Sequence, residues 1–255
     1  MISYRLIHTI ALASTFWLFT LLFSISPNQT YYNTPDSIEQ LAQHVQQKYY
    51  NLPPIQPRLV ISLAGIPGSG KSTLARKLLV QLQPLLNTVI LPMDGFHLTR
   101  AELEQLSDPD EAFRRRGAPF TFNPQGFIDT IKKINDPDWA TTTIYAPSFD
   151  HAIKDPVDNG IKIDPDVQVV IVEGNYVSLK VAVWNEIESF VDDTWFVHCD
   201  LQLARQRIVS RHVEAGISKD EQEAIERVEG NDLINARYII DNSKQPNVVI
   251  VSRGT

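Results

Sequence analysis

Hydrophobic and polar positions along this chain fall into three regimes. From Leu6 to Pro35 there is no Asp, Glu, Lys or Arg, and Ile10 to Ile25 is mostly apolar, with Phe16, Trp17, Phe19 and Phe23. That run approaches the roughly 20 residues needed to span a bilayer. A signal anchor through residues 6–26 is the first reading, with a cleaved or organelle-targeting peptide, or a start-site artefact or soluble extension, as the alternatives. Arg5 before the run and Asp36 and Glu39 after it would put the following chain on the non-cytoplasmic side of such a membrane.

Beyond residue 35, short apolar runs alternate with stretches of helical spacing. Ile38, Leu41, Val45 and Tyr49 predict a helix over 36–50, ended by Asn51-Leu52-Pro53-Pro54. Leu59 to Ala64, bounded by Pro57 and Gly65, reads as a buried strand, and a helix from Lys71 to Gln83 follows it. Further strands are expected at Thr88–Pro92, Val167–Val172, Thr194–His198 and Val248–Val251. Helices are expected at Pro124–Ile134, Leu179–Phe190 and Leu201–Ala215. Apolar strands separated by helices imply an α/β, doubly wound, mainly parallel sheet with helices on both faces. In the third regime, Thr99 to Asp166, Pro, Asp and loop signals dominate, which predicts substrate-side insertions and a small hairpin at the carboxyl edge of the sheet. The organisation is then an N-terminal segment and linker over 1–35 and one α/β domain over 36–255.

Composition narrows the function classes. The chain has 255 residues, 43% hydrophobic, enough for one α/β domain with its own core. A net charge of −7 argues against a nucleic-acid partner, which would call for a basic face. Cys199 is the single cysteine, so no intrachain disulfide can form, and no Cys/His cluster has zinc spacing.

The chemistry is concentrated behind three strands. Gly65-Ile66-Pro67-Gly68-Ser69-Gly70-Lys71-Ser72 follows an apolar strand and opens a helix, as a phosphate-binding P-loop does, with Thr73 next in line. Gly68 and Gly70 let successive N–H groups turn towards phosphate oxygens, and the helix N-terminus adds its dipole. Lys71 would reach the β- and γ-phosphates of ATP, and Ser72 would offer an oxygen to Mg²⁺. Asp94, in Met93-Asp94-Gly95-Phe96-His97 at the end of a strand, is the candidate general base for an acceptor hydroxyl; a turn or helix cap is the alternative. His97 beside it is either an acceptor contact or a structural histidine. Val169 to Val172 ends in Glu173, placing a carboxylate opposite the P-loop as a second Mg²⁺ ligand. Arg207 and Arg211, one turn apart, would lid the transferring phosphoryl unless they are merely solvated, and Arg114-Arg115-Arg116 either meets the acceptor or is exposed charge.

The P-loop, Met93 to His97, Arg115-Arg116-Gly117-Ala118-Pro119 to Phe122-Asn123, Ala146 to His151 and Ile171 to Tyr176 stand in the order seen in one superfamily. Over about residues 36–252 the chain resembles the uridine kinase, phosphoribulokinase and bacterial pantothenate kinase superfamily of P-loop NTPases. The resemblance implies an acceptor-activating Asp94, a Mg²⁺-linked Glu173 and a lid carrying Arg207 and Arg211. His97, Arg116, His151, Asn175 and Tyr176 complete the expected acceptor-binding set. Uridine kinases usually carry Ser and Tyr around the aspartate, where Gly95 and His97 stand here. The expected activity is ATP-dependent phosphorylation of a small-molecule hydroxyl, with an ATPase or nucleotide-dependent binding module as the rival. A GTPase switch would need an Asn-Lys-x-Asp motif, which is absent, and a dead module would have lost Lys71, Asp94 or Glu173.

Overall fold

A computed structural model describes residues 29–33 and 37–253. The hydrophobic segment 6–26 and the junction at 34–36 lie outside the described residues. Among those described, no helix is long and apolar enough to cross a membrane.

In chain order the strands are β1 (Thr30–Asn33), β2 (Leu59–Gly65), β3 (Thr88–Pro92), β4 (Ile144–Asp150), β5 (Asp155–Ile163), β6 (Val169–Gly174), β7 (Asp193–Cys199) and β8 (Val248–Ser252). The helices are α1 (Ile38–Tyr50), α2 (Lys71–Leu82), α3 (Arg100–Leu103), α4 (Pro109–Arg114), α5 (Pro124–Asn135), α6 (Leu201–Glu214), α7 (Glu221–Arg227) and α8 (Leu233–Asn242). Six strands form one parallel sheet in the order β1-β8-β7-β2-β6-β3, and β4 and β5 pair as the antiparallel hairpin expected in the insertion.

Alternation along β2 explains the two layers. Leu59, Ile61 and Leu63 face one side with Leu41 and Val45 of α1 and Leu74, Leu78 and Leu82 of α2. Val60 and Ala64 face the other, where Phe127, Ile128 and Ile131 of α5 and Ala236 and Ile239 of α8 cover them. A strand apolar at every position is what a sheet covered twice requires. Because β6 lies between β2 and β3, the carboxyl ends of all three meet at one edge.

Two elements differ from expectation. Leu179–Phe190 is not an α-helix: turns precede a 3₁₀ helix at Trp184–Phe190. Its buried side chains, Trp184 and Ile187, are three residues apart, the spacing that a three-residue turn stacks on one face. Thr30–Asn33, assigned from the sequence to the linker, is an edge strand, with Thr30 to Asn33 in parallel register against Val248 to Val251. The sheet therefore begins before residue 36. Tyr31 and Tyr32 suit a half-covered strand, but four residues are too few to show a period.

Candidate active site

The P-loop leaves β2 and turns on two residues in the left-handed region, Gly68 at φ +76° and Gly70 at φ +90°. It rests on α6 so closely that a Cβ on Gly68 would lie 2.6 Å from the carbonyl oxygen of Ala204. Ser69 is buried within the turn, and its Oγ has no hydrogen-bond partner. Lys71 and Ser72 open α2, while Thr73, one residue on, is exposed.

Glu173 arrives from the end of β6. Ser72 Oγ donates to Glu173 Oε1 at 3.1 Å, and Lys71 Nζ lies 3.8 Å from the same oxygen. Burial pushes the Glu173 carboxyl up; Lys71 opposes this, the Asp94 charge adds to it, and the Ser72 hydrogen bond opposes it again. Ser72 and Glu173 thus offer neighbouring hard oxygens, a set that fits a Mg²⁺ ion completing its shell with phosphate and water. Among the described residues no group of three His, Cys, Asp or Glu side chains is arranged to hold a metal.

Asp94 sits in a 3₁₀ turn, Met93–Phe96, that continues β3, and it is exposed while Met93, Gly95 and Phe96 around it are buried. The hairpin presses directly on this turn, since a Cβ on Gly95 would stand 2.0 Å from the carbonyl oxygen of Pro147. His97 follows, its Nδ1 2.8 Å from Asp94 O, its ring 4.0 Å from Phe122 and 4.8 Å from Phe149 between centroids. Burial lowers its pKa, Asp94 pulls it back, and Arg116 and His151 push it down further, so the ring is neutral at neutral pH.

The three adjacent arginines have three fates. Arg114 is exposed and pairs with Glu111 within α4. Arg115 donates Nε to Asn231 Oδ1 at 2.9 Å and Nη2 to Asn235 Oδ1 at 3.0 Å. Arg116 turns towards the β4–β5 hairpin, donating Nη2 to Leu98 O at 2.9 Å and to Asp155 Oδ1 at 3.1 Å, with its guanidinium 5.5 Å from the Phe149 ring centre. His151, exposed at the hairpin turn, contacts the same Phe149 ring at 5.2 Å.

One expectation is corrected here, and one pair of residues is found apart. Tyr176 is not available to an acceptor: it is fully buried against Phe122 and Trp184, and its hydroxyl donates to Gly117 O at 2.6 Å. Arg207 and Arg211 have different surroundings. Arg207 donates Nη1 to Gly68 O at 3.3 Å and to Ser252 Oγ at 2.9 Å, and Nη2 to Arg253 O at 2.9 Å, tying the P-loop to the end of β8. Arg211 is exposed, and its charge bears on Asp232 and His212. Asn175 is part-buried beside Glu173, its Oδ1 without a hydrogen-bond partner.

Residues absent from the sequence reading also converge here. Asp155 opens β5 in a polar stretch with no motif to mark it. Asn231 and Asn235, both buried, stand four residues apart where a π-helical turn, Val228–Asp232, enters α8. That i,i+4 pair of amides on one helix face was the one available signal. Asn231 Nδ2 also donates to Arg116 O at 3.0 Å, so the loop carrying Arg116 is held by backbone and side chain together.

No protein-family model matches the chain. It is 38% identical over 201 residues to protein C227.14 of Schizosaccharomyces pombe, provisionally named a uridine kinase, covering 76% of this chain and 83% of that one. It is 44% identical over 151 residues to the ATP-dependent kinase-like protein notR′ of Aspergillus versicolor, covering 59% of this chain and 88% of that one. Among solved structures, a protein of Silicibacter sp. TM1040, provisionally described as a fructose transport system kinase, superposes with a TM-score of 0.72 at 30% identity. That match covers 83% of this chain and 98% of the other.

Proposed function

Since the chain belongs to the ATP-dependent P-loop kinases allied to uridine kinase, we propose that it transfers the γ-phosphoryl group of ATP to a hydroxyl of a small metabolite. The observation that carries this reading is the meeting of Lys71, Ser72 and Glu173 at the foot of the P-loop, with Asp94 exposed on the adjoining strand end. The first three face nucleotide; Asp94 faces what comes next to it.

In the proposed reaction the acceptor oxygen attacks the γ-phosphorus in line, and the bond from that phosphorus to the β–γ bridging oxygen breaks, releasing ADP. Asp94 takes the hydroxyl proton as the new P–O bond forms. P-loop N–H groups and Lys71 hold the phosphate oxygens, so that charge moving towards the leaving group meets donors already in place. Ser72 and Glu173 would hold Mg²⁺, which when bound neutralises phosphate charge. Arg211, exposed one turn beyond the Arg207 tie, is the proposed lid arginine, and Arg207 fixes the loop it closes on. His97, Arg116 and His151 form the proposed acceptor wall. Relatives named for uridine and fructose support a compact, hydroxyl-bearing acceptor.

The test pairs two variants in an assay of acceptor-stimulated ADP release across nucleosides, sugars and vitamins. Asp94→Asn keeps the shape and removes the base, so acceptor phosphorylation should fall on the order of 10²–10⁴-fold with ATP affinity unchanged. Lys71→Ala should abolish turnover and weaken ATP binding in a folded protein. Near-normal acceptor turnover in Asp94→Asn would reduce that residue to a turn cap and remove the base from the mechanism.

A further inference from the structure

The wall beside Asp94 is aromatic, and Arg116, the arginine whose charge bears on its His97 ring, is already paired with a carboxylate. Ionisable groups felt by the His97 ring are Asp94, Arg116 and His151. Arg116 keeps only 13% of its side chain exposed, and Asp155, 26% exposed, pairs with it at 3.1 Å. The same Asp155 oxygen accepts the backbone N–H of Arg100 at 2.8 Å, which fixes the carboxylate where the guanidinium meets it. Phe149 then covers the guanidinium face. Of the neighbouring cations, Arg115 is turned away onto the amides of Asn231 and Asn235, and Arg100, Arg114 and Lys154 are exposed, where water and salt screen them.

A charged acceptor bound here would place its anionic group near Asp94 and the nucleotide phosphates, while Arg116, the arginine nearest the His97 ring, already has its countercharge. Like charges brought together in a part-desolvated site select strongly against the wrong ligand. An uncharged ring or chain bearing several hydroxyls meets none of this. Its hydroxyls can bond to Asp94 and to the edge of the neutral His97 ring, and its carbon face can lie on Phe149.

We propose that Asp155 is a specificity-determining residue: by neutralising Arg116 it restricts the acceptor to uncharged, polyhydroxylated compounds. This rests on the kinase reading above and adds to it the acceptor class and the residue that sets it. Remove the Asp155 charge and Arg116 becomes a free cation one wall away from the base, a site for a carboxylate or phosphate on the acceptor.

The experiment uses the full chain with MgATP and matched acceptors: glycerol against glycerate, ribose against ribose 5-phosphate, and uridine against uridine 5′-monophosphate. ADP release gives kcat/KM for each. In the wild type at least one uncharged member should exceed its charged partner by about tenfold or more. In Asp155→Asn that ratio should shrink by about tenfold, the change lying in the charged member's kcat/KM. The double variant Arg116→Gln/Asp155→Asn, lacking both charges, should return the ratio towards the wild-type value, an outcome that general loosening of the hairpin would not give. The KM for ATP in each variant, with a thermal melt, reports any loss of fold. A wild-type preference for charged members, an unchanged ratio in a folded Asp155→Asn, or no turnover of any uncharged member by a protein that binds MgATP each overturns the proposal. In those cases nucleotide binding still stands. Failure of the wild type to bind MgATP would instead overturn the kinase reading, and this proposal with it.

Discussion

Gly95 shows how a single position can be both readable and opaque. In the sequence it is a departure from the Ser common in uridine kinases; in the fold it is the point where the hairpin backbone touches the turn that carries Asp94. A methyl group there would meet Pro147 O at 2.0 Å, so the hairpin must move or the turn must open. Gly95→Ala should cost about 1–3 kcal/mol in stability, the usual range for overpacking. Because the same hairpin carries Phe149, His151 and Asp155, it should also raise the acceptor KM while leaving ATP binding intact. Thermal unfolding and a nucleotide titration on one preparation check both halves, and a melt identical to wild type would show that the hairpin does not bear on Gly95. Arg115 teaches a related point. Three adjacent arginines look alike in one dimension, yet Asn231 and Asn235, more than a hundred residues away, decide that the middle one is a structural tie and so turn Arg116 the other way.

At the scale of elements, the end of the sheet opposite the active site is fastened by one carboxylate. Asp193 begins β7, and its buried side chain accepts from His44 Nε2 of α1 at 2.7 Å, Trp195 Nε1 at 2.9 Å and Asn247 Nδ2 at 2.9 Å, with Lys48 Nζ at 3.7 Å. Burial alone would raise its pKa, but these donors, His44 first, more than offset that and hold the carboxyl below its ordinary value of 3.8. A carboxylate depressed on folding stabilises the protein in full above its unfolded pKa, and the gain is lost as pH falls through the lower folded value. The stabilisation from Asp193 should therefore be complete at neutral pH and fade only below the ordinary carboxylate range. Asp193→Asn leaves buried donors without their anion and should cost about 3 kcal/mol at neutral pH. For a domain of this size that lowers the melting temperature by roughly 6–12 °C. A pH series of melts is decisive: the variant should lie below wild type at pH 7 and approach it in strong acid. Equal melts at pH 7 would show the cluster to be incidental.

Across the whole molecule, the first described strand closes the sheet. Gln29 Nε2 donates to Pro246 O at 2.9 Å, and β1 pairs along β8, so a chain beginning at Ser37 would expose β8 as a bare parallel edge. Compared with a chain beginning at Gln29, it should melt several degrees lower and scatter more light on warming; indistinguishable behaviour would make β1 dispensable. Sequence by itself determined the parts whose signal is local. The P-loop needs glycines at fixed spacing, buried strands need unbroken apolar runs, and Glu173 and Asp94 follow such runs directly, so spacing and periodicity along the chain were enough to find them and the α/β class. What only the tertiary structure decided depends on partners distant in sequence. Tyr176 became a buried support for Gly117, Arg207 a tie between the P-loop and β8, and Asp155 the neutralising partner of Arg116. In their own segments Tyr176 and Arg207 read as site candidates and Asp155 carried no mark, and none of the three shows its partner along the chain. Each role comes from where strand order, the β4–β5 hairpin and the π-helical turn bring a second group within hydrogen-bond reach, because hydrogen bonds and ion pairs act over a few ångströms of space whatever the distance along the chain.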